Sequence, residues 1–437
     1  MLRKKLYQII LYLCTGLFTS GQAHAIEIVI DKGVENPIPV AIVPFGWSQA
    51  SAVAPIDIAG IIDADLTRSA RFATMEEKDL PQHPTSFNEV NFKDWRLLGM
   101  ENLVIGQLTL AGNGEYEVEF RLLDVYKGKQ IAGFRIPATA QQLRQTAHEI
   151  SDIIYEKLIG IRGAFATRIV YITVVKSRDG NKKYTLQIAD ADGYNPQILL
   201  ESSEPLLSPA WSPDGKKLAY VSFESKTSVV YIQDIQTGSR QKVASNPGIN
   251  SAPAWSPDGS RLALTLSKDG NPEIYILHVG SKLLQRVTNN PAIDTEPTWS
   301  NDGKTLAFTS DRGGSPQIYT TRVEGDGQVK RISFTGSYNA GPVYSPDGKQ
   351  IAVVHGDGGV YRIGLLDPNN GQVSLLSESR MDESPSFAPN GHMIIYPTTG
   401  ARGTALAAIS VDGSVHQRLA LQEGEVREPA WGPFQGR

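Results

Sequence analysis

Histidine, serine and cysteine most often carry enzymatic chemistry, and in this sequence none of them stands in a recognisable catalytic pattern. Six of the seven histidines lie beyond residue 25, at positions 83, 148, 278, 355, 392 and 416, without the short spacing of metal ligands. His148 precedes a glutamate, but no second histidine follows four residues later. No G-x-S-x-G elbow, phosphate-binding loop or dinucleotide fingerprint is present. The sequence therefore predicts no catalytic residue, no metal site and no cofactor.

Aspartate recurs within repeated Ser-Pro-Asp-Gly motifs, such as residues 212–215 and 256–259. Proline at the second position and glycine at the fourth favour a type I turn, and turn chemistry accounts for the aspartate. Residues 190–193 (Asp-Ala-Asp-Gly) have a faint similarity to the start of a calcium loop, and we interpret them as a hairpin turn.

These motifs belong to an internal repeat of about 44 residues. The pattern Pro-Ala-Trp-Ser-Pro-Asp-Gly, or a close variant, occurs at residues 209–215, 253–259, 297–303, 342–348, 385–391 and 429–433. Each complete unit contains four strand-like segments separated by turn residues. A strand-rich repeat of this length is typical of a β-propeller.

The repeated tryptophans have a structural interpretation. Period-two alternation places Pro209 and Trp211 on one face of the first strand, and Ala210 and Ser212 on the other. Small residues suit the crowded channel axis, and the aromatic ring suits the gap between blades. We therefore interpret the tryptophans as core between blades; the alternative is a role in stacking against a ligand.

The two ends of the repeat array complement each other. The sixth Pro-Ala-Trp has no further strands after it, whereas three strands (168–175, 183–189 and 196–200) precede the first one. A C-terminal strand can therefore complete the N-terminal blade and close the ring, which removes exposed sheet edges. The predicted fold is mixed: an N-terminal α/β domain, followed at residues 168–437 by a six-bladed all-β propeller closed by a C-terminal strand.

The α/β domain is predicted over residues 26–160, with a junction at 161–167. Residues 56–70 have helical spacing, three strands are predicted at 103–111, 116–126 and 130–136, and a second helix is predicted at 139–158. Thr139 is its expected cap and Gly160 its expected end.

The first 25 residues have the three parts of a secretory signal peptide. Basic residues 3–5 precede an apolar run at 6–18, and Ala-His-Ala at 23–25 predicts cleavage after Ala25. The run is too short for a membrane span, so we expect an exported, periplasmic protein without a span in its mature chain. Cys14 is the only cysteine, and large residues before it argue against a lipoprotein.

Charge narrows the range of partners. Removal of the three basic residues of the signal peptide changes the formal net charge from −4 to −7, and no cluster of five or more basic residues occurs. A nucleic-acid partner is not expected, because phosphate binding requires a concentrated basic face. We expect a monomer.

The segments that enter the innermost strands should converge on one mouth of the propeller channel. They mix small, amide and acidic residues that differ from blade to blade, which suits one asymmetric protein partner; ordinary connecting loops are the alternative. The candidate contacts are Ile249, Asn250, Ala252, Thr295, Glu296, Asn339, Ala340 and Glu383.

Together these features resemble the TolB family of periplasmic propeller proteins. The resemblance includes the signal peptide, residues 26–31 (Ile-Glu-Ile-Val-Ile-Asp), residues 160–165 (Gly-Ile-Arg-Gly-Ala-Phe) and the six repeats. Asn301 in place of a proline, and Ala-Pro-Asn at 388–390, are small departures.

The resemblance implies a non-enzymatic adaptor of the Tol–Pal system. Such proteins bind the lipoprotein Pal at the propeller mouth and the protein TolA through the mature N-terminal segment, here residues 26–33. The system supports outer-membrane integrity and envelope constriction during division, and colicins exploit it in some species. The residues that this assigns to TolA are Ile26, Glu27, Ile28, Val29, Ile30 and Asp31.

The sequence leaves alternatives open for the segment and for the function. Residues 26–31 are either the first strand of the α/β domain or a tethered arm that can join a partner's sheet. A propeller peptidase would need a nucleophile–histidine–acid set. A sugar- or metal-binding propeller would repeat one polar residue at equivalent positions of several blades.

Overall fold

The computed structural model describes residues 27–49, 53–112, 114–325, 327–400, 403–420 and 424–435. The predicted signal peptide, its cleavage site and Ile26 lie outside these residues. Within them the chain forms an N-terminal domain of helices and strands followed by a six-bladed β-propeller, which confirms the predicted fold class. None of the described helices combines the length and the apolar character needed to cross a membrane.

The N-terminal domain is a sheet covered by helices on both faces. The first elements of the chain, in order, are β1 (Glu27–Lys32), β2 (Ile38–Ile42), β3 (Gly46–Trp47), α1 (Ile58–Arg68), β4 (Phe72–Thr74), α2 (Phe92–Leu97), β5 (Asn102–Leu110), β6 (Tyr116–Asp124), β7 (Lys129–Ala138) and α3 (Leu143–Ile159), with short 3₁₀ helices at Glu77–Asp79, Phe87–Glu89 and Ala140–Gln142. The strand order in the sheet is β4-β2-β5-β6-β7, and β3 pairs with β5. Strand β2 runs parallel to both β4 and β5.

Alternation along β5 divides the core of this domain into two layers. Val104 and Leu108 pack with α1 and α3 on one face, while Leu103 and Ile105 pack with Trp95 of α2 on the other. A strand buried on both faces reads as a continuous apolar run, as β5 does.

Local capping residues set the ends of the two long helices. The Asp57 side chain accepts a hydrogen bond from the Gly60 N–H at the start of α1 (2.8 Å). Thr139 and Gln142 form a reciprocal capping box on the 3₁₀ turn that leads into α3. Gly160 ends α3 with a left-handed φ of 87°.

Strand β1 does not belong to the α/β sheet, so the interpretation of residues 26–31 as that domain's first strand is wrong. β1 pairs antiparallel with strand β30 (His416–Ala420) of the propeller, from Glu27 opposite Ala420 to Lys32 opposite His416. Alternation in a sequence identifies a segment that can form a strand, but it carries no information about which sheet edge accepts that strand.

In the part of the chain that the structure describes, the propeller consists of 24 strands, β8 to β31, in six sheets around a central channel. In chain order they are β8 (Arg168–Lys176), β9 (Lys182–Asp190), β10 (Gln197–Ser202), β11 (Leu206–Trp211), β12 (Lys217–Ser222), β13 (Val229–Asp234), β14 (Arg240–Ala244), β15 (Asn250–Trp255), β16 (Arg261–Leu266), β17 (Glu273–His278), β18 (Leu284–Arg286), β19 (Asp294–Trp299), β20 (Thr305–Ser310), β21 (Gln317–Arg322), β22 (Val329–Arg331), β23 (Tyr338–Tyr344), β24 (Ile351–Asp357), β25 (Val360–Leu366), β26 (Val373–Leu375), β27 (Ser386–Phe387), β28 (Met393–Gly400), β29 (Gly403–Ser410), β30 (His416–Ala420) and β31 (Glu425–Trp431).

Five blades have four strands each, and the sixth gains a fifth strand from the N-terminal segment. From the inside outward, blade 1 consists of β31, β8, β9 and β10. Blades 2 to 5 are β11–β14, β15–β18, β19–β22 and β23–β26, and blade 6 is β27–β30 followed by β1.

The closing strand β31 makes the contacts predicted for it. It pairs antiparallel with β8, and the Gly432 N–H donates to the Arg168 carbonyl oxygen (2.7 Å). The Trp431 indole N–H donates to Thr167 Oγ1 (2.9 Å). Main-chain pairing between the last and the first strand of the array therefore closes the ring.

The repeated tryptophans lie between blades, as predicted. In three of the four, the indole N–H donates to the carbonyl oxygen of an alanine on the inner strand of the preceding blade: Trp211 to Ala430 (3.0 Å), Trp255 to Ala210 (3.2 Å) and Trp299 to Ala254 (3.0 Å). Trp299 is buried, whereas Trp211 and Trp255 are partly buried between blades and also border the channel.

The Ser-Pro-Asp-Gly turns also link neighbouring blades. Gly259 has a φ of 70°, and a Cβ added to it would contact the ring of Pro213 in the preceding turn. Asn301 stands where the other turns have a proline. Its Nδ2 instead donates to the carbonyl oxygens of Ser345 (3.2 Å) and Pro346 (2.6 Å) in the next turn. A pair of hydrogen bonds thus substitutes for the proline contact.

Removal of the closing strand should destabilise the propeller strongly. Deletion of residues 428–437 takes away most of β31, exposes the inner edge of β8 and removes Trp431 from the core. We expect the free energy of unfolding to fall by several kcal/mol, on the scale of a large core deletion. Thermal and urea denaturation measure the change, and an unaltered melting temperature would refute closure by strand sharing.

Candidate functional site

One residue in the inner strand of blades 1 to 5, and one just before the inner strand of blade 6, has an unusual backbone conformation, and these six residues line the channel. Each immediately precedes the repeated proline and has a φ between 46° and 58°. In blades 1 to 5 the pairing register shifts at this point, which marks a β-bulge. The six residues are Ser208, Ala252, Glu296, Gly341, Ser384 and Glu428.

The left-handed backbone region is unfavourable for residues with a Cβ, by about 1 kcal/mol or more each. Only Gly341 avoids that cost. The bulge must therefore be held in place by the tight packing of neighbouring inner strands, and it turns the side chains of these residues toward the channel.

The channel is acidic. It has a volume of about 620 Å³, and its lining includes Glu296, Glu383 and Glu428. Glu296 Oε2 accepts hydrogen bonds from Thr309 Oγ1 (2.8 Å) and from the Gly341 N–H (2.9 Å) of the next blade. Glu428 Oε2 accepts a hydrogen bond from the Ser208 N–H across the boundary between blade 1 and blade 2. Burial, together with the nearby Glu383 carboxylate, raises the pKa of Glu428.

The predicted contact residues divide into two groups. Ile249, Glu296 and Glu383 are exposed, and Ala252 and Thr295 are partly exposed. Ala252, Glu296 and Glu383 also line the channel. These five residues therefore form part of an accessible surface at the mouth.

The side chains of Asn250, Asn339 and Ala340 are instead buried in the blades, so they are not available to a partner. Asn250 Oδ1 accepts from the Asn246 N–H (2.8 Å), and its Nδ2 donates to the Ser228 carbonyl oxygen (3.1 Å). Asn339 Nδ2 donates to Gln317 Oε1 (2.9 Å). The amides anchor the loops that enter the inner strands.

Sequence reasoning missed most of an apolar crescent around the mouth. Ile249, Ile293 and Met381 are 45%, 48% and 53% exposed, and Tyr338 is partly exposed. All four lie three residues before the left-handed residue of their blade: Ile249 in blade 3, Ile293 in blade 4, Tyr338 in blade 5 and Met381 in blade 6. That common offset from the repeated proline is a signal the sequence contains.

The mouth lies on the propeller face opposite the α/β domain. The inner strands run from the mouth toward the face that carries the Ser-Pro-Asp-Gly turns. The α/β domain contacts that second face, where Asn390 Nδ2 donates to the Arg162 carbonyl oxygen (3.0 Å) and Arg71 pairs with Asp412 (2.7 Å). Within the described residues, the α/β domain therefore leaves the mouth and its apolar crescent uncovered.

The described channel lining does not contain a serine–histidine pair of the kind that serine hydrolases use. Ser208 and Ser384 offer hydroxyls and three glutamates offer carboxylates, but within the described part of the chain no histidine borders this channel.

The second predicted site, residues 26–31, is described from Glu27 onward, where it forms most of β1. This strand is the outermost of blade 6, so one of its edges is unpaired in the sheet. The pairing with β30 shifts register between Ile30 and Lys32, and Lys32 Nζ donates to the Gly413 carbonyl oxygen (3.2 Å). A single strand pairing thus holds the segment on the propeller.

Two family models match the chain and together cover both domains. Residues 26–131 match the TolB amino-terminal domain, and residues 155–435 match the TolB beta propeller domain. The chain belongs to the TolB family.

Individual TolB proteins agree with this assignment over nearly the full length. The Tol-Pal system protein TolB of Thioalkalivibrio sulfidiphilus is 55% identical over 99% of this chain and 98% of its own. That of Nitrosococcus oceani is 54% identical over 97% of each chain. The crystal structure of TolB from Acinetobacter baumannii has a TM-score of 0.86 at 42% identity, and the match covers 94% of this chain and 100% of that one.

Two adjacent residues at the mouth should differ sharply in their effect on stability. Asn250→Ala leaves buried backbone and side-chain groups without partners, so we expect a loss of about 2–3 kcal/mol in the free energy of unfolding. Ile249→Ala changes an exposed side chain and should alter it by less than about 0.5 kcal/mol. Urea denaturation of both variants measures the difference, and equal effects would contradict the assigned burial.

Proposed function

We propose that this TolB-family chain is a non-enzymatic periplasmic adaptor of the Tol–Pal system. It binds Pal at the propeller mouth and TolA through the mature N-terminal segment, and it thereby supports outer-membrane integrity and envelope constriction during division. The observation that carries the proposal is the uncovered mouth, with an apolar crescent around an acidic channel. The relatives that bear the name Tol-Pal system protein TolB support the system to which we assign it.

The mouth has the composition expected of a protein-binding site. Exposed apolar side chains surround a polar, acidic centre, and contiguous exposed apolar surface on a soluble protein commonly marks an interaction site. A partner segment that brings hydrogen-bond donors or a positive charge into the channel would complement Glu296, Glu383 and Glu428. The proposed Pal contacts are Ile249, Ala252, Ile293, Thr295, Glu296, Tyr338, Met381 and Glu383.

The N-terminal segment has the properties of a detachable arm. Blade 6 retains four paired strands without β1, so release of the arm leaves a complete blade. The released segment can add to a partner's sheet, where main-chain hydrogen bonds supply affinity and alternate side chains supply specificity. Ile26 to Asp31 would then be the residues that TolA contacts.

A charged, bulky residue at the mouth should block Pal without unfolding the protein. In Ala252→Arg the new side chain fills the channel entrance and engages its glutamates, while the backbone position already accommodates an L-residue. We expect Pal affinity to fall at least 100-fold, as at a hot spot, in calorimetry with Pal of the same organism.

Ser281→Arg is the matched control, because Ser281 is exposed in an outer turn on the opposite face. Its affinity and melting temperature should equal those of the parent protein. Unimpaired binding by folded Ala252→Arg would place the Pal site elsewhere.

The arm should be required for TolA binding but not for the fold. Deletion of residues 26–31 should abolish TolA binding and change the melting temperature by only a few degrees, because the strand lost is a single outer one. Binding assays and thermal denaturation test this, and retained TolA binding with a large drop in melting temperature would show that the segment is purely structural.

A cross-link tests whether the arm must leave blade 6. Ile30 and Gln417 are opposite each other in the pairing of β1 with β30, and Cys14 is the only natural cysteine. In the Ile30→Cys/Gln417→Cys variant, oxidation should abolish TolA binding and reduction should restore it. TolA binding by the oxidised form would refute a detachable arm.

A further inference from the structure

A buried histidine lies at the contact between the two domains. His148 is on α3 and its side chain is 1% exposed. Its Nδ1 lies 2.7 Å from Oδ2 of Asp65 on α1, and its Nε2 lies 4.0 Å from Oδ2 of Asp192, in the turn that follows β9 of blade 1. Among the residues that the structure describes, Nε2 has no hydrogen-bond partner. The imidazole thus stands between one carboxylate from each domain.

Charged groups from three elements surround this imidazole. Arg68 of α1 pairs with Asp65 at 3.0 Å. Arg144, one turn before His148 on α3, pairs with Asp190 (3.1 Å) and Asp192 (2.5 Å) of blade 1. Arg168, at the start of β8, also interacts electrostatically with Asp190. Protonation of the imidazole adds a further positive charge between Asp65 and Asp192.

One further carboxyl group lies on the same helix face. Asp152, one turn after His148, accepts hydrogen bonds from the Phe165 N–H (2.7 Å) and the Ala166 N–H (3.4 Å). Burial raises the pKa of Asp152 to about 7. Its carboxyl group faces the junction and also interacts electrostatically with Asp65, so a test of His148 must compare variants that all retain Asp152.

The hydrogen bond to Asp65 determines which nitrogen titrates. A carboxylate can only accept, so Nδ1 carries a proton in both charge states of the ring. The proton that comes and goes is therefore the one on Nε2. When it is present, a positive N–H faces the Asp192 carboxylate; when it is absent, a lone pair faces the same carboxylate and the contact becomes repulsive.

A metal ion is a poorer occupant of this site than a proton. One oxygen or nitrogen each from Asp65, His148 and Asp192 lies within 4.8 Å of the others, as in a metal centre. However, Arg144 already binds the Asp192 oxygen nearest to Nε2, and Arg68 binds Asp65. Two guanidinium groups disfavour a divalent cation, whereas protonation needs no additional space.

We propose that His148 is a proton-operated clasp between the α/β domain and the propeller. Protonation of Nε2 joins α3 to the Asp192 turn, and deprotonation weakens that contact. The attraction between Nε2 and the Asp192 carboxylate exists only while Nε2 carries its proton, so it is present in the acidic state of the ring and lost when Nε2 is deprotonated.

A double-mutant cycle isolates the pair from the remaining contacts of Asp192. His148→Gln, Asp192→Asn and the combined variant are unfolded in urea at pH 5.5 and at pH 8.0. The loss of the Arg144 pairing is common to both pH values and cancels in the cycle. We expect His148 and Asp192 to be coupled by about tenfold in the unfolding equilibrium constant at pH 5.5, and by much less at pH 8.0.

Direct titration of the imidazole by NMR provides a readout that does not require a variant to fold. In the parent protein, Nε2 of His148 should carry a proton at pH 5.5, where the coupling to Asp192 is present, and should have lost it at pH 8.0, where the coupling is weak. Equal coupling at both pH values, absence of coupling at pH 5.5, or an Nε2 that is unprotonated throughout this range would each overturn the clasp.

Discussion

The pairing of β31 with β8 is the interaction on which the rest of this structure depends. It joins strands from opposite ends of the repeat array, and its register brings Trp431 against the junction that leads to the α/β domain. Once the ring is closed, every inner strand has a neighbour on both sides, and the six left-handed residues can be held against their conformational preference. The channel, the acidic centre and the mouth all follow from that closure.

Much of the fold could be predicted from the sequence because each repeat places the same residue types in the same structural positions. The tryptophan of each repeat, such as Trp255, was predicted to pack between blades. Closure was predicted because the sixth Pro-Ala-Trp strand has no strands after it, whereas three strands precede the first repeat. The mouth was harder to predict. The loop sequence suggested both Ile249 and Asn250 as contacts, but the structure buries the Asn250 side chain and exposes that of Ile249, and a register shift between Ser251 and Ala254 interrupts the alternation of this strand.

The domain contact could not be foreseen from spacing alone. Arg144, His148 and Asp152 recur every four residues on α3, which indicates a shared helix face, yet their partners Asp190 and Asp192 lie in a turn about forty residues further along the chain. A search of the sequence for closely spaced metal ligands treats His148 as isolated, because the Asp65 and Asp192 carboxylates come close to it only when α1, α3 and blade 1 pack together. Likewise, nothing in residues 27–32 specifies the edge of β30 as their place.

The attachment of β1 to blade 6 also gives the molecule a mechanical character. The strand is tied to the rest of the protein at its Lys32 end and is antiparallel to β30 along its length. A pull along the strand from Glu27 loads the main-chain hydrogen bonds together, whereas a pull perpendicular to the blade breaks them one at a time. The direction of a force on the N-terminus therefore decides whether the arm resists or peels away.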